Sequence, residues 1–375
     1  MIIGIPKESL NEENRVAILP GEVKQLSSEL LKFKIESGAG NGAYISDEDY
    51  IQAGAEIVSD IYADANMIIR INPPNEEELS HLKENICLIS LLSPFTNHTL
   101  IKNLVKKNIS AYCLELIPRS TYAQSMDVLS SQATVGGYKA VLNAATHMTK
   151  FFPMLMTPAG TIKPATVLVI GAGVAGLQAI ATASRLGAKV EAFDVRPAAR
   201  EQVESLGAKF LYMDLDDSAE TDSGYAIEMN DEFIRKEMEL LHDASKRVDA
   251  IITTALIFGK KAPILIKDYM VNDMKPGSCI IDIAAENGGN CELTKPGEIV
   301  NHNGVTIDGR LNLPSQVPYH ASQMLSKNIS KLLKEIVNDG EITYNLENEI
   351  IKGCLVTHEK NLIHEMTKKI IEGDK

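Results

Sequence analysis

Short apolar runs recur along this chain, each separated from the next by a polar or helix-length interval. Before residue 120 they are IIGIP near the start, FKIES at 33–37, AEIV at 55–58, NMIIRI at 66–71, ICLISLL at 86–92 and SAYCLEL at 110–116. A helix signal covers 21–32. A second series lies near 166–170, 189–193, 208–213, 248–253, 278–283 and 304–308. Strands separated by helix-length segments predict parallel, doubly wound sheets. The chain is expected to be α/β, with one such domain over 1–136 and another over 137–312. Leu313-Pro314 breaks the pattern. The helix-like stretch HASQMLSKNISKLLKEIV at 320–337 belongs to a C-terminal segment, 313–375, expected to return to the first domain.

Residues 166–194, TVLVIGAGVAGLQAIATASRLGAKVEAFD, carry the most specific local signal. An apolar strand runs into Gly171-Ala172-Gly173-Val174-Ala175-Gly176, a helical pattern follows to Gly187, and a second strand ends on Asp194. This is the dinucleotide fingerprint in its full context. Gly171 allows the tight turn, Gly173 lets backbone approach a pyrophosphate, and Gly176 lets helix and strand pack closely. The diphosphate is expected on the helix N-terminus, whose free N–H groups favour an anion. Asp194 follows Gly171 by 23 residues, near the ~20 expected of the acid that accepts from the ribose 2′-OH. A carboxylate there repels a 2′-phosphate, so the cofactor is expected to be NAD rather than NADP. Arg196, just after Val195, is either a phosphate-accommodating residue that cuts the other way or a solvated loop residue. Both domains are expected to be Rossmann-like, with the second carrying the fingerprint.

Composition narrows the class. The chain has 375 residues, 45% hydrophobic and 23% charged, enough for two or three domains. A net charge of −13 with no Lys/Arg-rich run argues against nucleic acid or an anionic membrane surface as direct partner. The five cysteines, Cys87, Cys113, Cys279, Cys291 and Cys354, show neither CxxC nor metal-ligand spacing, so no metal is expected and a reducing compartment is. MIIGIPKESL lacks the pattern of a signal peptide. No apolar run approaches the ~20 residues that cross a bilayer.

Two polar clusters remain. Gly38-Ala39-Gly40-Asn41-Gly42 tempts as a second phosphate loop, but the next helix signal begins only at Ser46, so it is expected to be a structural turn. The segment IPRSTYAQSMDVLSSQATVGGYKAV, 117–141, bunches Arg119, Gln124, Asp127 and Ser130 on a loop and a helix start between the two domains. On spacing alone it is either a candidate site, since ligands favour domain junctions, or a polar linker with Ser125 or Asp127 as helix cap.

The blocks PRSTYAQSMDVLSSQATVGGYKAV and GAGVAGLQAIATASRLGA, with IGIPKESLNEENRVAILP, DVRPAAREQVESLGAKF, SGYAIEMNDEF, ITTALIFGKKAP and IIDIAAENGGNCEL, resemble the NAD(H)-binding component of the proton-translocating NAD(P) transhydrogenases. These belong to the alanine dehydrogenase/transhydrogenase family, and the likeness spans nearly the whole chain. It implies that Arg119, Gln124 and Asp127 lie over the nicotinamide and that Ser130 contacts its carboxamide. It implies a mobile loop over the cofactor at 223–229, including Gly224 and Tyr225, and a cofactor contact at Leu256, which by pattern alone is core. The resemblance also implies NADP(H) on a partner subunit, a membrane-spanning partner, a homodimer, and a place on the cytoplasmic face of the membrane, held there peripherally through the partners. Only one framed fingerprint is present, so no NADP site is expected on this chain.

Two other functions compete. Alanine dehydrogenases share the fold and the opening KESLNEENRVA but carry a catalytic Lys and His, for which this chain has Asn72 and Ser93. Reducing an imino or oxo acid needs a proton donor of tuned pKa, whereas passing hydride between two nicotinamide rings moves no proton between the carbons. Arg15, the family's substrate-carboxylate residue, is present and is expected to be kept for structure. The third possibility, an NAD-sensing module, has no reason to keep a clamp beside the nicotinamide.

Overall fold

The computed structural model describes residues 1–212, 231–256, 259 and 261–373. It resolves into two compact units, Met1–Gln132 with Pro314–Lys375, and Ala133–Leu313.

The first unit is built on an eight-stranded sheet. Its first strand, Ile2–Ile5, lies inside the sheet, with Lys32–Glu36 and Glu56–Val58 added on one side. Met67–Ile69, Cys87–Ser90 and Ser110–Cys113 are added on the other. These six strands pair in parallel, so the sheet is doubly wound. Alternate residues feed two cores. Met67, Ile69, Cys87 and Ile89 join one cluster, and Ile68 and Leu88 the other. Strands covered on both faces must be apolar throughout, which is why the runs are unbroken.

Two local outcomes differ from the sequence pattern, and the glycine cluster is the structural turn expected. The helix expected over 21–32 is Pro20–Leu26, with proline in its first turn. It stops where the Ser27 hydroxyl donates to the Val23 carbonyl at 2.7 Å, since serine offers backbone groups a non-helical partner. The C-terminal segment supplies Leu355–His358 and Asn361–Leu362, which extend the sheet antiparallel beyond Ser110–Cys113. In the glycine cluster the chain makes the short 3₁₀ turn Asn41–Ala43, and the next helix, Asp47–Gln52, starts with a Ser46/Asp49 capping box. A Cβ on Gly42 would lie 2.7 Å from the Asn14 backbone, so close packing accounts for that glycine. The helix Pro318–Ile336 buries Leu325, Ile329, Leu332, Leu333 and Ile336 in the core of this unit.

The second unit carries a seven-stranded sheet. Thr166–Ile170 pairs in parallel with Lys189–Phe193 on one side and Ala250–Thr253 on the other. Cys279–Asp282 and Val305–Asp308 continue the parallel order. Ile299–His302 is an antiparallel edge strand that the count of six parallel strands did not include. The strand expected at 208–213 is only Lys209–Phe210 among the described residues. Val167 and Val169 face one core and Leu168 and Ile170 the other. Both units are thus Rossmann-like. All five cysteines are buried and unpaired.

Candidate functional site

The fingerprint sits at the carboxyl edge of a central strand in the second unit, where open α/β sheets bind ligands. Gly171 has φ +94°, a conformation costly for any residue with a Cβ, and its N–H donates to the Phe193 carbonyl at 2.8 Å. The chain then enters the helix Val174–Arg185 through Gly173, which lends no side-chain cap. The N–H groups of Val174, Ala175 and Gly176 therefore begin a helix with no side chain drawn over its first turn. A Cβ on Gly173 would meet nothing within 4 Å, whereas one on Gly176 would lie 1.8 Å from the Gly171 carbonyl oxygen. Only glycine at 176 lets the turn fold onto the helix, and the space before Gly173 is open. Donors, dipole and space fit a diphosphate.

Asp194 ends the neighbouring strand. Its Oδ2 accepts from the Ala172 N–H at 2.7 Å, tying it to the glycine turn. Its Oδ1 accepts from the Arg196 backbone at 2.8 Å and from Arg196 Nε at 2.9 Å, and Arg196 Nη2 reaches Oδ2 at 2.9 Å. Burial would raise this carboxyl, but the Arg196 side chain and the two backbone donors outweigh it and hold Asp194 below the ordinary aspartate range. Arg196 is an exposed residue whose guanidinium is engaged by Asp194. Val195, between them, is exposed.

Two residues that the sequence pattern did not single out brace the same edge. Thr254 Oγ1 donates to the Gly171 carbonyl at 3.0 Å, stitching the end of Ala250–Thr253 to the glycine turn. Asn290, fully buried, accepts from the Ala255 N–H at 3.0 Å and donates to the Ala255 carbonyl at 2.9 Å. It fixes the backbone from which Leu256 projects. Leu256 is 51% exposed and so is not the core residue its pattern suggests. The signal for Asn290 was present in IIDIAAENGGN, but nothing local says which carbonyl its amide meets. Gly224 and Tyr225 lie outside the described residues.

Arg119, Gln124, Asp127 and Ser130 are all in the first unit. Arg119 and Gln124 are exposed, and neither side chain has a hydrogen-bond partner among the described residues. Gln124 rides on the 3₁₀ turn Ala123–Met126, whose Ala123 and Met126 are buried. Asp127 is the N-cap of the helix Val128–His147: its Oδ1 accepts from the Ser130 N–H at 2.8 Å, and the Ser130 hydroxyl donates to Oδ2 at 2.6 Å. The capping geometry suggested by spacing is therefore present.

Two of the residues aligned with dehydrogenase catalysis, Arg15 and Asn72, share a closed polar knot. Arg15 donates from Nε and Nη2 to the two Glu13 oxygens at 2.8 and 2.6 Å, and from Nη1 to Gln132 at 2.8 Å. Asn72 Nδ2 donates to Glu8 at 3.1 Å and to Glu13 at 3.0 Å. Burial would raise the Glu13 carboxyl, but the Arg15 hydrogen bonds and charge, with the Asn72 amide, hold it down at about 2. Glu8 is pushed up by burial, which its contacts with Arg70 and Asn72 only partly offset. The Arg15 fork is thus filled by an internal carboxylate. Ser93 is exposed at φ +49°, held by its N–H to Glu115 at 2.6 Å.

The chain matches known proteins over nearly its whole length. Residues 4–136 match the N-terminal domain of alanine dehydrogenase/PNT, and residues 140–365 match its C-terminal domain. The chain is 46% identical to the first of the polypeptides that make up NAD(P) transhydrogenase subunit alpha in Rhodospirillum rubrum, over 97% of this chain and 98% of that one. It is 29% identical to the alanine dehydrogenase of Methanococcus maripaludis, over 98% of this chain and 96% of that one. The crystal structure of a transhydrogenase from Sinorhizobium meliloti superposes with a TM-score of 0.85 at 39% identity, covering 98% of this chain and all of that one.

Proposed function

The chain belongs to the alanine dehydrogenase/PNT family, and within it we propose that it is the NAD(H)-binding subunit of a proton-translocating transhydrogenase. Bound NADH supplies a hydride, and the acceptor is NADP⁺ carried by a partner subunit. The complex couples that exchange to proton movement across the membrane. The observation that carries this choice over an amino-acid dehydrogenase is Asn72, which stands where a proton-donating lysine would be and spends its amide on Glu8 and Glu13. An imino or oxo acid needs a proton donor of tuned pKa, and an amide is not one.

Within this proposal the second unit binds the adenylate half of the cofactor. Val174, Ala175 and Gly176 present N–H groups to the diphosphate, Gly173 gives it room, and Asp194 accepts from the adenosine ribose, exchanging contacts with the exposed Arg196. Leu256 covers apolar cofactor surface, and Gly224 and Tyr225 contact the cofactor. Arg119, Gln124 and Asp127 orient the nicotinamide, with Ser130 at the carboxamide. Such a reaction requires position and exclusion of water, not a general acid.

Preference for NAD(H) tests the cofactor assignment. By calorimetric titration NADH should bind more tightly than NADPH by about tenfold or more, about 1.4 kcal/mol, and Asp194→Ala should narrow the gap by removing the repulsion of a 2′-phosphate. Equal affinities in the wild type contradict it. The purified chain should also show no alanine-dependent NADH formation. Activity that persists through purification and disappears on Asn72→Ala would reinstate the dehydrogenase alternative.

The NADP-binding and membrane-spanning subunits are the partners we propose, with the chain held peripherally at the cytoplasmic face through them. Among the described residues no helix is long and apolar enough to cross a membrane. We further propose a homodimer. The two-stranded hairpin Leu155–Thr157 and Gly160–Ile162 joins neither large sheet, and with its approach it exposes Phe151, Met154, Met156 and Ile162, Met156 by 75%. An apolar cluster of this kind fits a second copy. Phe151→Asp with Met156→Asp should shift sedimentation equilibrium from dimer to monomer, and an unchanged dimer would remove the hairpin from the interface.

A further inference from the structure

The turn that carries Gln124 is held by a side chain about 200 residues away in sequence. Asn328, in the middle of the helix Pro318–Ile336, donates from Nδ2 to the Ser125 carbonyl at 2.8 Å, across a separation of 203 residues. Asparagine is a weak helix former because its amide competes with the backbone. Here it is 8% exposed, and its Oδ1 is buried with no hydrogen-bond partner among the described residues, a costly state for a polar atom. A leucine would serve the helix and the core better on both counts. Among the described residues, the one hydrogen bond its side chain makes is to the turn.

That bond supplies what the neighbouring contacts lack. Ala123 and Met126 anchor the turn in the same core cluster as Leu325 and Ile329, but apolar contact is non-directional and leaves the turn free to rotate or slide. A hydrogen bond to the Ser125 carbonyl fixes its direction. Two further ties hold the chain just before the turn. The Tyr122 hydroxyl donates to Glu335, seven residues beyond Asn328 and on the same helix face, and the Ser120 hydroxyl donates to Glu349 at 2.8 Å. Tyr122 is 60% exposed, so water competes for its bond. The tie at Asn328 is the most sheltered of the three, half-buried where the other two are exposed.

We infer that Asn328 is a positioning residue for the transhydrogenase reaction: by holding the Ser125 carbonyl it sets the direction in which Gln124 meets the nicotinamide. The inference rests on the role proposed for Gln124. Asn328→Ala, and Asn328→Leu as the variant that also removes the orphaned oxygen, separate it from a structural role. In the complex reconstituted with the NADP-binding partner, hydride transfer should fall about tenfold or more, while NADH affinity of the chain changes by less than about threefold. In the ligand-free chain, amide hydrogen exchange at residues 123–126 should accelerate, and the thermal midpoint of the leucine variant should match the wild type. Wild-type transfer in a folded Asn328 variant overturns the inference if Gln124→Asn in the same assay is slow. Parallel loss of NADH affinity and transfer, or unchanged exchange in the turn, also overturns it. Wild-type transfer in Gln124→Asn removes the loop's role and the inference together.

Discussion

Gln124→Asn is expected to slow hydride transfer to NADP⁺ in the reconstituted complex by about ten- to a hundred-fold, while NADH affinity changes only a few-fold. The substitution removes one methylene and keeps the amide, so it alters reach and little else. Gln124 is exposed on a 3₁₀ turn whose flanking Ala123 and Met126 are buried. The turn is thus fixed while the side chain is presented, the arrangement expected of a residue that aligns a ligand. Most binding energy should come from the glycine turn and Asp194 in the other unit, which this change does not touch. Stopped-flow measurement of transfer beside calorimetric titration of NADH checks the split. Arg119→Ala and Asp127→Ala should weaken binding as well, and Asp127→Ala also removes the cap of Val128–His147. Transfer at the wild-type rate in Gln124→Asn would remove this loop from ring alignment.

The second large effect is expected at Gly176. A methyl group there would lie 1.8 Å from the Gly171 carbonyl oxygen and 2.9 Å from its carbon. Ordinary non-bonded contacts are about 3.5–4.0 Å, and both opposing atoms are backbone, so the helix start or the glycine turn must move. Either motion displaces the N–H groups of the first helical turn from a common focus. Gly176→Ala should therefore weaken NADH binding by about a hundredfold, about 2.8 kcal/mol, and lower the thermal midpoint. Gly173→Ala is the control. Its φ is −76° and its Cβ would meet nothing within 4 Å, so the protein should melt with the wild type. Its NADH affinity should still fall, because the methyl group enters the space before the helix. Calorimetry and thermal melts on the two variants decide the matter: a Gly176→Ala protein that binds NADH within a few-fold of wild type would show that the turn does not set the site.

The features legible in the sequence are those governed by short-range physics. Strands buried on both faces must be apolar throughout, so the two series of runs announced two doubly wound sheets. Gly171 and Gly176 follow from a positive φ and a steric limit between residues five apart, which any chain making this turn must obey. Asp194 was recognisable by its spacing because the intervening helix and strand have fixed lengths. The helix cap at Asp127 lies three residues from its donor, within reach of a pattern.

What only the tertiary structure decided is how polar side chains far apart in sequence are paired. Arg15 could have faced a substrate, but folding placed Gln132 beside it and brought Asn72 onto Glu13. No local pattern pairs the Asn328 amide with the Ser125 carbonyl, 203 residues away. Thr254 became a brace of the glycine turn, and Asn290 a brace of the Ala255 backbone, only when neighbouring strands set their register. The strands at 355–358 and 361–362 joined the first sheet at an edge left by residues 110–113. Apolar periodicity specifies which face of an element is buried, because burial depends on area and not on partner. A hydrogen bond depends on direction and on one particular partner, and that partner is chosen by the packing of whole elements.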